Sequence, residues 1–360
     1  MSKLIVLVIG FGFILLSAQL SAQQQNIGLS LSSQVGYLLP HRAAMGHLNL
    51  GHVTGGQLRT VIQTNGSKQW HHDFNFPRIE LNTFFYDLGN SSVLGQTFGV
   101  SSGMYLPFFN YSGWSIGSTQ LLGIGWVSKH YDKVENPKNN AIGSHINAMV
   151  NLGVRVEKQW VNNSIGIEIG MTHLSNGAYK LPNLGLNLPL LSFNFTHFLN
   201  ALKYEENYSE LSSGLPLKNW GFYTQLVGSV KQIYPTGGST FGIVALNNYF
   251  QYRFKPKFIF EGGIDAIYNQ SVIKYNKEGH GRMKNFQMGL YAAYVLPIHK
   301  IEFLVAMGSY IVDPLNPGGK FYHKFGGRFQ ITDKLWGNFT IKSHWAKADY
   351  FEYGISYRWK

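Results

Sequence analysis

The stretch that decides the fold closes the chain: Phe351-Glu352-Tyr353-Gly354-Ile355-Ser356-Tyr357-Arg358-Trp359. Phe351, Tyr353, Ile355, Tyr357 and Trp359 fall on alternate positions, with Glu352, Gly354, Ser356 and Arg358 between them. Side chains of an extended strand point to opposite faces in turn, so one face here is apolar throughout and the other small or charged. A helical period of 3.6 residues would mix the two sets. The same alternation runs through Ser144–Val156. Ile146, Ala148, Val150, Leu152, Val154 and Val156 share one face there, and His145, Asn147, Asn151, Gly153 and Arg155 share the other.

Further strands are expected near 28–38, 51–64, 76–87, 96–108, 114–128, 162–175, 188–199, 219–232, 240–253, 258–268, 285–297, 301–312, 321–331 and 335–345. With the two quoted above this makes about sixteen, and merging weak neighbours reduces the number to fourteen or twelve. The composition holds 41 Gly, 25 Phe, 21 Tyr and 8 Trp with only 13% charged residues. The longest uncharged stretch, 88–128, is broken by Gly, Ser, Asn and Pro107 and cannot be a membrane helix. Strands of about ten residues that alternate apolar and polar, rich in aromatics, fit a transmembrane antiparallel β-barrel of 12–16 strands. An aromatic residue next to last on the final strand resembles the terminal signal of bacterial outer-membrane barrels.

The start of the chain agrees. Lys3, the apolar run Leu4 to Leu16 and the small residues from Ser17 to Ala22 form a secretory leader cleaved near Ala22. The run is shorter than the roughly 20 residues a spanning helix needs. An exported chain without Cys is stabilised by something other than disulfides. The formal charge of +12, one less once Lys3 leaves, suits either an anionic lipid partner or simply solvated loops and a basic lumen. No nucleic-acid-binding motif is present, so no nucleic-acid partner is expected.

No repeat, linker or low-complexity segment divides the chain, so residues 23–360 read as one barrel domain after the leader, 1–22. If the mature N-terminus starts in the periplasm, odd strands run outward. The strand ending at His173–Ser175 is the seventh, and the loop 176–187 is then extracellular. Connections near 109–113, 159–161 and 332–334 are short, as periplasmic turns are. The long segment 200–218 breaks this regular spacing.

Along the seventh strand Ile165, Ile167, Ile169, Met171, His173 and Ser175 share one face, while Glu168, Gly170 and Thr172 point the other way. A Ser beside a His is a candidate nucleophile and base. Its place on an apolar strand face suggests a substrate that arrives through lipid. Two residues along a strand put the Cα atoms roughly 6.5–7 Å apart, within reach of a shared proton. Here His173-Leu174-Ser175-Asn176 followed by Pro182-Asn183-Leu184-Gly185 resembles the active-site segment of PagL-type lipid A 3-O-deacylases, also called acyloxyacyl hydrolases. The resemblance is strongest over 170–199, and residues 200–360 have no counterpart in the small eight-stranded members.

The resemblance implies an outer-membrane barrel esterase that removes an ester-linked acyl chain from lipid A or a related lipopolysaccharide lipid. Ser175 would be the nucleophile and His173 the base, with Asn176, Gly177 and Asn183 at the oxyanion or substrate side. No cofactor is needed by such a scheme. At the position where the family has a Glu to orient the His, this chain has Asn187, whose carbonyl accepts an imidazole N–H but supplies no charge. Glu168, Arg155 and Glu157 read as lumen charges, and Lys180 as either a lipid-phosphate contact or a solvated loop residue. His41, His47 and His52 cluster near one loop and His71 and His72 near another, but no Cys or paired acid frames either, so no metal site is expected. The alternative function is a non-catalytic barrel, a pore or uptake channel or a surface structural protein.

Overall fold

The computed structural model describes residues 26–200, 219–275, 281–315, 317–345 and 347–359. The expected leader and residues 201–218 of the long segment lie outside them. Sixteen antiparallel strands follow in chain order. The first eight are β1 (Asn26–Tyr37), β2 (His52–Gln63), β3 (Arg78–Asp87), β4 (Gln96–Tyr111), β5 (Trp114–Val127), β6 (Ile146–Trp160), β7 (Asn163–Ser175) and β8 (Leu186–Phe198). The second eight are β9 (Trp220–Gln232), β10 (Thr240–Lys255), β11 (Phe258–Asn269), β12 (Phe286–Ile298), β13 (Ile301–Val312), β14 (Phe321–Gln330), β15 (Leu335–His344) and β16 (Lys347–Arg358).

They do not close as one barrel. β8 pairs back onto β1, from Gly28↔Phe198 to Gly36↔Leu190, and β16 pairs onto β9, from Tyr353↔Gly228 to Arg358↔Tyr223. The single domain expected over 23–360 is therefore two closed barrels of eight strands each. Alternation within a strand is the same for either closure, because it records which face meets lipid and not which strand lies alongside. Two turns at one rim are tight, with residues 112–113 joining β4 to β5 and 161–162 joining β6 to β7, while residues 64–77 at that rim carry a short helix. The opposite rim carries the long loops 38–51, 128–145 and 176–185.

Both lumens are filled by side chains, as eight strands leave just enough room for. In the first, Arg155 donates to both oxygens of Glu80 at 2.6 and 3.1 Å and to Glu168 at 2.8 Å. Thr119 also donates to Glu168, and Arg59 lies 3.8 Å from Glu80. Arg78 pairs with Glu157. In the second, Arg328 pairs with Glu261, and Lys324 and Tyr322 both donate to Asp265. The outward rows are apolar and exposed, for example Ile165, Ile167 and Ile169 on β7 and Tyr353 and Ile355 on β16.

The barrels touch at both rims. At the tight-turn rim a short helix, α1 (Gln69–Asp73), presents Trp70, which with Phe74, Met104 and Leu106 packs on Leu296, Ile298, Ile301 and Phe303 of the second barrel. The Trp70 ring stacks on His299 at 5.6 Å. His71 accepts the Gly66 N–H through Nδ1 at 3.1 Å, a bond that only an unprotonated nitrogen makes. Burial first, then the positive charge of Lys68, holds both His71 and His299 down to about 4.

Two outcomes are expected. Replacing Arg155 by Met strands Glu80 and Glu168 and should cost about 3–5 kcal/mol in urea unfolding in detergent. Adding Glu80→Gln and Glu168→Gln should recover much of that loss. Separately, an unfolded histidine titrates near 6.5, so the unfolded chain binds protons at His71 and His299 before the native one does. Stability should therefore fall as pH drops from about 6.5 to about 4. A His71→Gln, His299→Gln protein should lose less in the temperature at which unboiled gel mobility disappears; an equal loss would remove these histidines from the account.

Candidate active site

β7 reaches the long-loop rim through Thr172-His173-Leu174-Ser175. Glu168, Thr172 and Leu174 are sealed inside, while the isoleucines face outward. His173 is half-buried, and Ser175, on the same outward parity, is only 4% exposed. In the β7–β8 ladder His173 stands directly opposite Asn187, and its Nδ1 lies 2.6 Å from Asn187 Oδ1. A carbonyl oxygen only accepts, so Nδ1 carries the proton and Nε2 keeps its lone pair. That is the tautomer a general base requires.

The ring has this place because residue 185 is glycine. Gly185 has φ +79°, and a Cβ there would lie 2.7 Å from His173 Cε1. Ser175 Oγ makes no hydrogen bond among the described residues, to His173 or to any other group. Nucleophile–base bonds are commonly loose before substrate binds and tighten in the complex.

In the loop after Ser175, Asn176 is fully engaged. Its N–H donates to Asn183 Oδ1 at 2.9 Å, and its Nδ2 donates to Ser144 Oγ and Lys180 O, both at 2.8 Å. Asn176 thus fastens the turn and has no donor left for a substrate. The free donor belongs to its partner: Asn183 Nδ2 is buried without a hydrogen-bond partner. Leaving such a donor unpaired costs about 1–3 kcal/mol, which makes Asn183 Nδ2 the candidate donor at this turn. Gly177, with φ +62°, makes no hydrogen bond through its N–H among the described residues.

The second barrel supports this loop. Gln232 at the end of β9 donates its N–H to Ala178 O and accepts the Leu181 N–H on Oε1, both at 2.8 Å. Phe351 of β16 fills the space where a Cβ on Gly177 would stand, 2.3 Å away. On the other side, the extension of β1 donates the Leu39 N–H to Asn187 O at 2.8 Å and brings His41 Nδ1 to 3.0 Å from Asn187 Nδ2. Down the outward face of β7 lies an apolar groove of about 730 Å³, lined by Leu31, Val156, Ile165, Ile167, Phe193 and Phe195 among others.

The six residues singled out from sequence therefore meet at one rim, with the Asn176 side-chain donors taken up within the loop. His41, Gly185 and Gln232 were not among them. A His41 contact follows only once β1 is known to pair with β8, and the Gln232 contact only once a second barrel is in view. Elsewhere His47 Nε2 lies 2.8 Å from Lys138 O and His72 Nε2 2.7 Å from Gly66 O. Among the described residues no group of three or more His, Asp or Glu gathers as a metal site would need.

Comparison with known proteins places two family models on the chain. The one described as lipid A 3-O-deacylase (PagL) matches residues 54–197, and the one described as acyloxyacyl hydrolase, C-terminal domain, matches 220–360. No curated protein matches it. Among solved structures, a mutant porin of Rhodopseudomonas blastica aligns over 93% of this chain and 100% of its own at 8% identity and a TM-score of 0.18. A mutant TodX monoaromatic hydrocarbon channel aligns over 93% and 91% at 10% identity and the same score. Likenesses this slight carry no argument.

Gly185→Ala should push the His173 ring off Asn187 while leaving assembly intact. In the folded protein a fluorophosphonate should label Ser175, and the variant should label much more slowly; equal rates would mean that the ring's seat on Gly185 does not matter.

Proposed function

Because this chain belongs to the PagL lipid A 3-O-deacylase and acyloxyacyl hydrolase family of outer-membrane barrels, we propose that its first barrel is a serine esterase that removes an ester-linked acyl chain from lipid A or a related lipopolysaccharide lipid. The observation that carries this reading is the His173–Asn187 hydrogen bond, which leaves Nε2 of the histidine with its lone pair two residues before Ser175 on the same strand face. Ser175 Oγ attacks the ester carbonyl carbon as Nε2 takes its proton. The oxyanion accepts from Asn183 Nδ2 and the Gly177 N–H, since such a charge needs donors as it develops. When the ester C–O bond breaks, the proton passes from Nε2 to the departing sugar oxygen, leaving an acyl-serine. Water then attacks the acyl carbon as Nε2 takes its proton, and when the acyl carbon–Oγ bond breaks Nε2 returns that proton to Ser175 Oγ, releasing the fatty acid. No cofactor takes part.

The leader at 1–22 takes the chain across the inner membrane, and the long-loop rim of the barrels faces outward in the bacterial outer membrane. The acyl chain runs down the outward row of β7 toward the groove at Ile167, six residues or about 20 Å below His173. A pore is the second reading, and the packed ion networks in both lumens speak against it.

Lipid A from cells that make the protein should lack one acyl group by mass spectrometry, and cells with Ser175→Ala should retain it. Acyl loss that persists in Ser175→Ala would rule the mechanism out. Asn187→Ala should lower turnover by about 10²-fold or more, toward the ~10⁴-fold cost of a wrong triad tautomer. Asn187→Asp keeps the reach and adds charge. It should raise turnover by about tenfold, the difference between a charge-assisted and a neutral hydrogen bond.

A further inference from the structure

We propose that His41 is a positioning residue that selects the productive tautomer of His173 by fixing which way the Asn187 amide points, an inference that rests on the esterase reading of the site. The amide lies between two imidazole nitrogens, with His173 Nδ1 2.6 Å from Oδ1 and His41 Nδ1 3.0 Å from Nδ2. A carboxylate in this place accepts from either oxygen and so always holds the proton on His173 Nδ1. An amide has one acceptor and one donor. Turned the other way, it would donate to His173 Nδ1, the proton would move to Nε2, and the base would be lost.

Nothing within Asn187 or His173 favours the productive direction. A free neutral imidazole prefers its proton on Nε2, so His173 alone would choose to accept from the amide. His41 competes for the same N–H₂ group and takes it. Its own neutral form, with Nδ1 as acceptor, then leaves Oδ1 as the only group His173 can meet. The segment that carries His41 is held for this. Leu39 N donates to Asn187 O at 2.8 Å, Met45 and Leu48 are fully buried in the following turn, and Asn140 Nδ2 donates to Ala44 O at 2.6 Å. If His41 is removed, water fills its place, and water donates as readily as it accepts.

Three substitutions separate these roles, because the Nδ1 position of His corresponds to Oδ1 of Asp. His41→Asp accepts only, His41→Ala imposes nothing, and His41→Lys donates only. With ¹⁵N-histidine labelling in detergent, His173 should read as Nδ1–H in the parent and in His41→Asp, as a mixture in His41→Ala, and as mainly Nε2–H in His41→Lys. Turnover should follow the same order, falling at least several-fold in His41→Ala and further in His41→Lys, with the change in kcat and not in KM. In an Asn187→Asp background, where orientation no longer matters, all three should match the Asn187→Asp protein. A His173 signal that stays Nδ1–H in both His41→Ala and His41→Lys would overturn the proposal. So would equal losses with and without Asn187→Asp, which would mean that His41 only supports the loop. The tautomer readout stands apart from activity: if Ser175→Ala shows that the esterase reading fails, the ¹⁵N signals still decide whether His41 orients the amide.

Discussion

Within lipid no backbone N–H or C=O finds water, so every strand must be paired on both edges. That constraint closes each set of eight strands on itself, and the rest of the molecule follows from it. Closure gives each residue one of two environments, lumen or lipid. It places Glu168 and Thr172 inside and the Ile165–Met171 row outside, and so carries His173 and Ser175 to the lipid-facing side of the rim. An acyl ester anchored in a membrane is presented to that side without leaving the bilayer.

The inward half of every strand has to be satisfied without water as well. Buried charges are tolerated when paired and hydrogen-bonded, and Glu80, Glu168, Arg155 and Thr119 form such a set behind the strand that carries His173. The network braces β3, β5, β6 and β7 against one another, which keeps the rim end of β7 rigid. Rigid elements hold reacting groups more closely than loops do. The loop 176–185, which has no sheet partners along most of its length, is steadied by Gln232 and Phe351 of the second barrel. A second barrel beside the first therefore has a physical part in the candidate site, through the loop it supports.

What was legible in the sequence is what alternation records. Strand number, the facing of Ile165 through Ser175 and the lumen charges all depend on period two, whereas the pairing of Asn187 with His173 was implied by the family resemblance and not by alternation. Whether strand eight returns to strand one is a long-range choice that leaves no trace in alternation, and so two barrels read as one. Asn176 was expected at the oxyanion or substrate side because the family resemblance implied it. Its amide is consumed by Ser144, thirty-two residues earlier, and by Lys180, and the open donor passes to Asn183. Loop partners of that kind depend on how irregular segments pack at the rim, which no periodic signal describes.

Asn187, at the position where the resemblance implies a carboxylate, shows how closure and chemistry meet. A carboxylate opposite His173 would orient it unaided, since both its oxygens accept. An amide supports either tautomer equally well, and the asymmetry has to come from outside the pair. It comes from β1, the strand farthest from β8 in the sequence of the first barrel and its neighbour in space. The backbone bond from Leu39 to Asn187 continues the β1–β8 pairing past the last ladder position and sets His41 against the amide. A neutral residue at 187 is thus workable only on a sheet that has closed: the same pairing that hides the edge strands from lipid delivers the group that tells Asn187 which way to face.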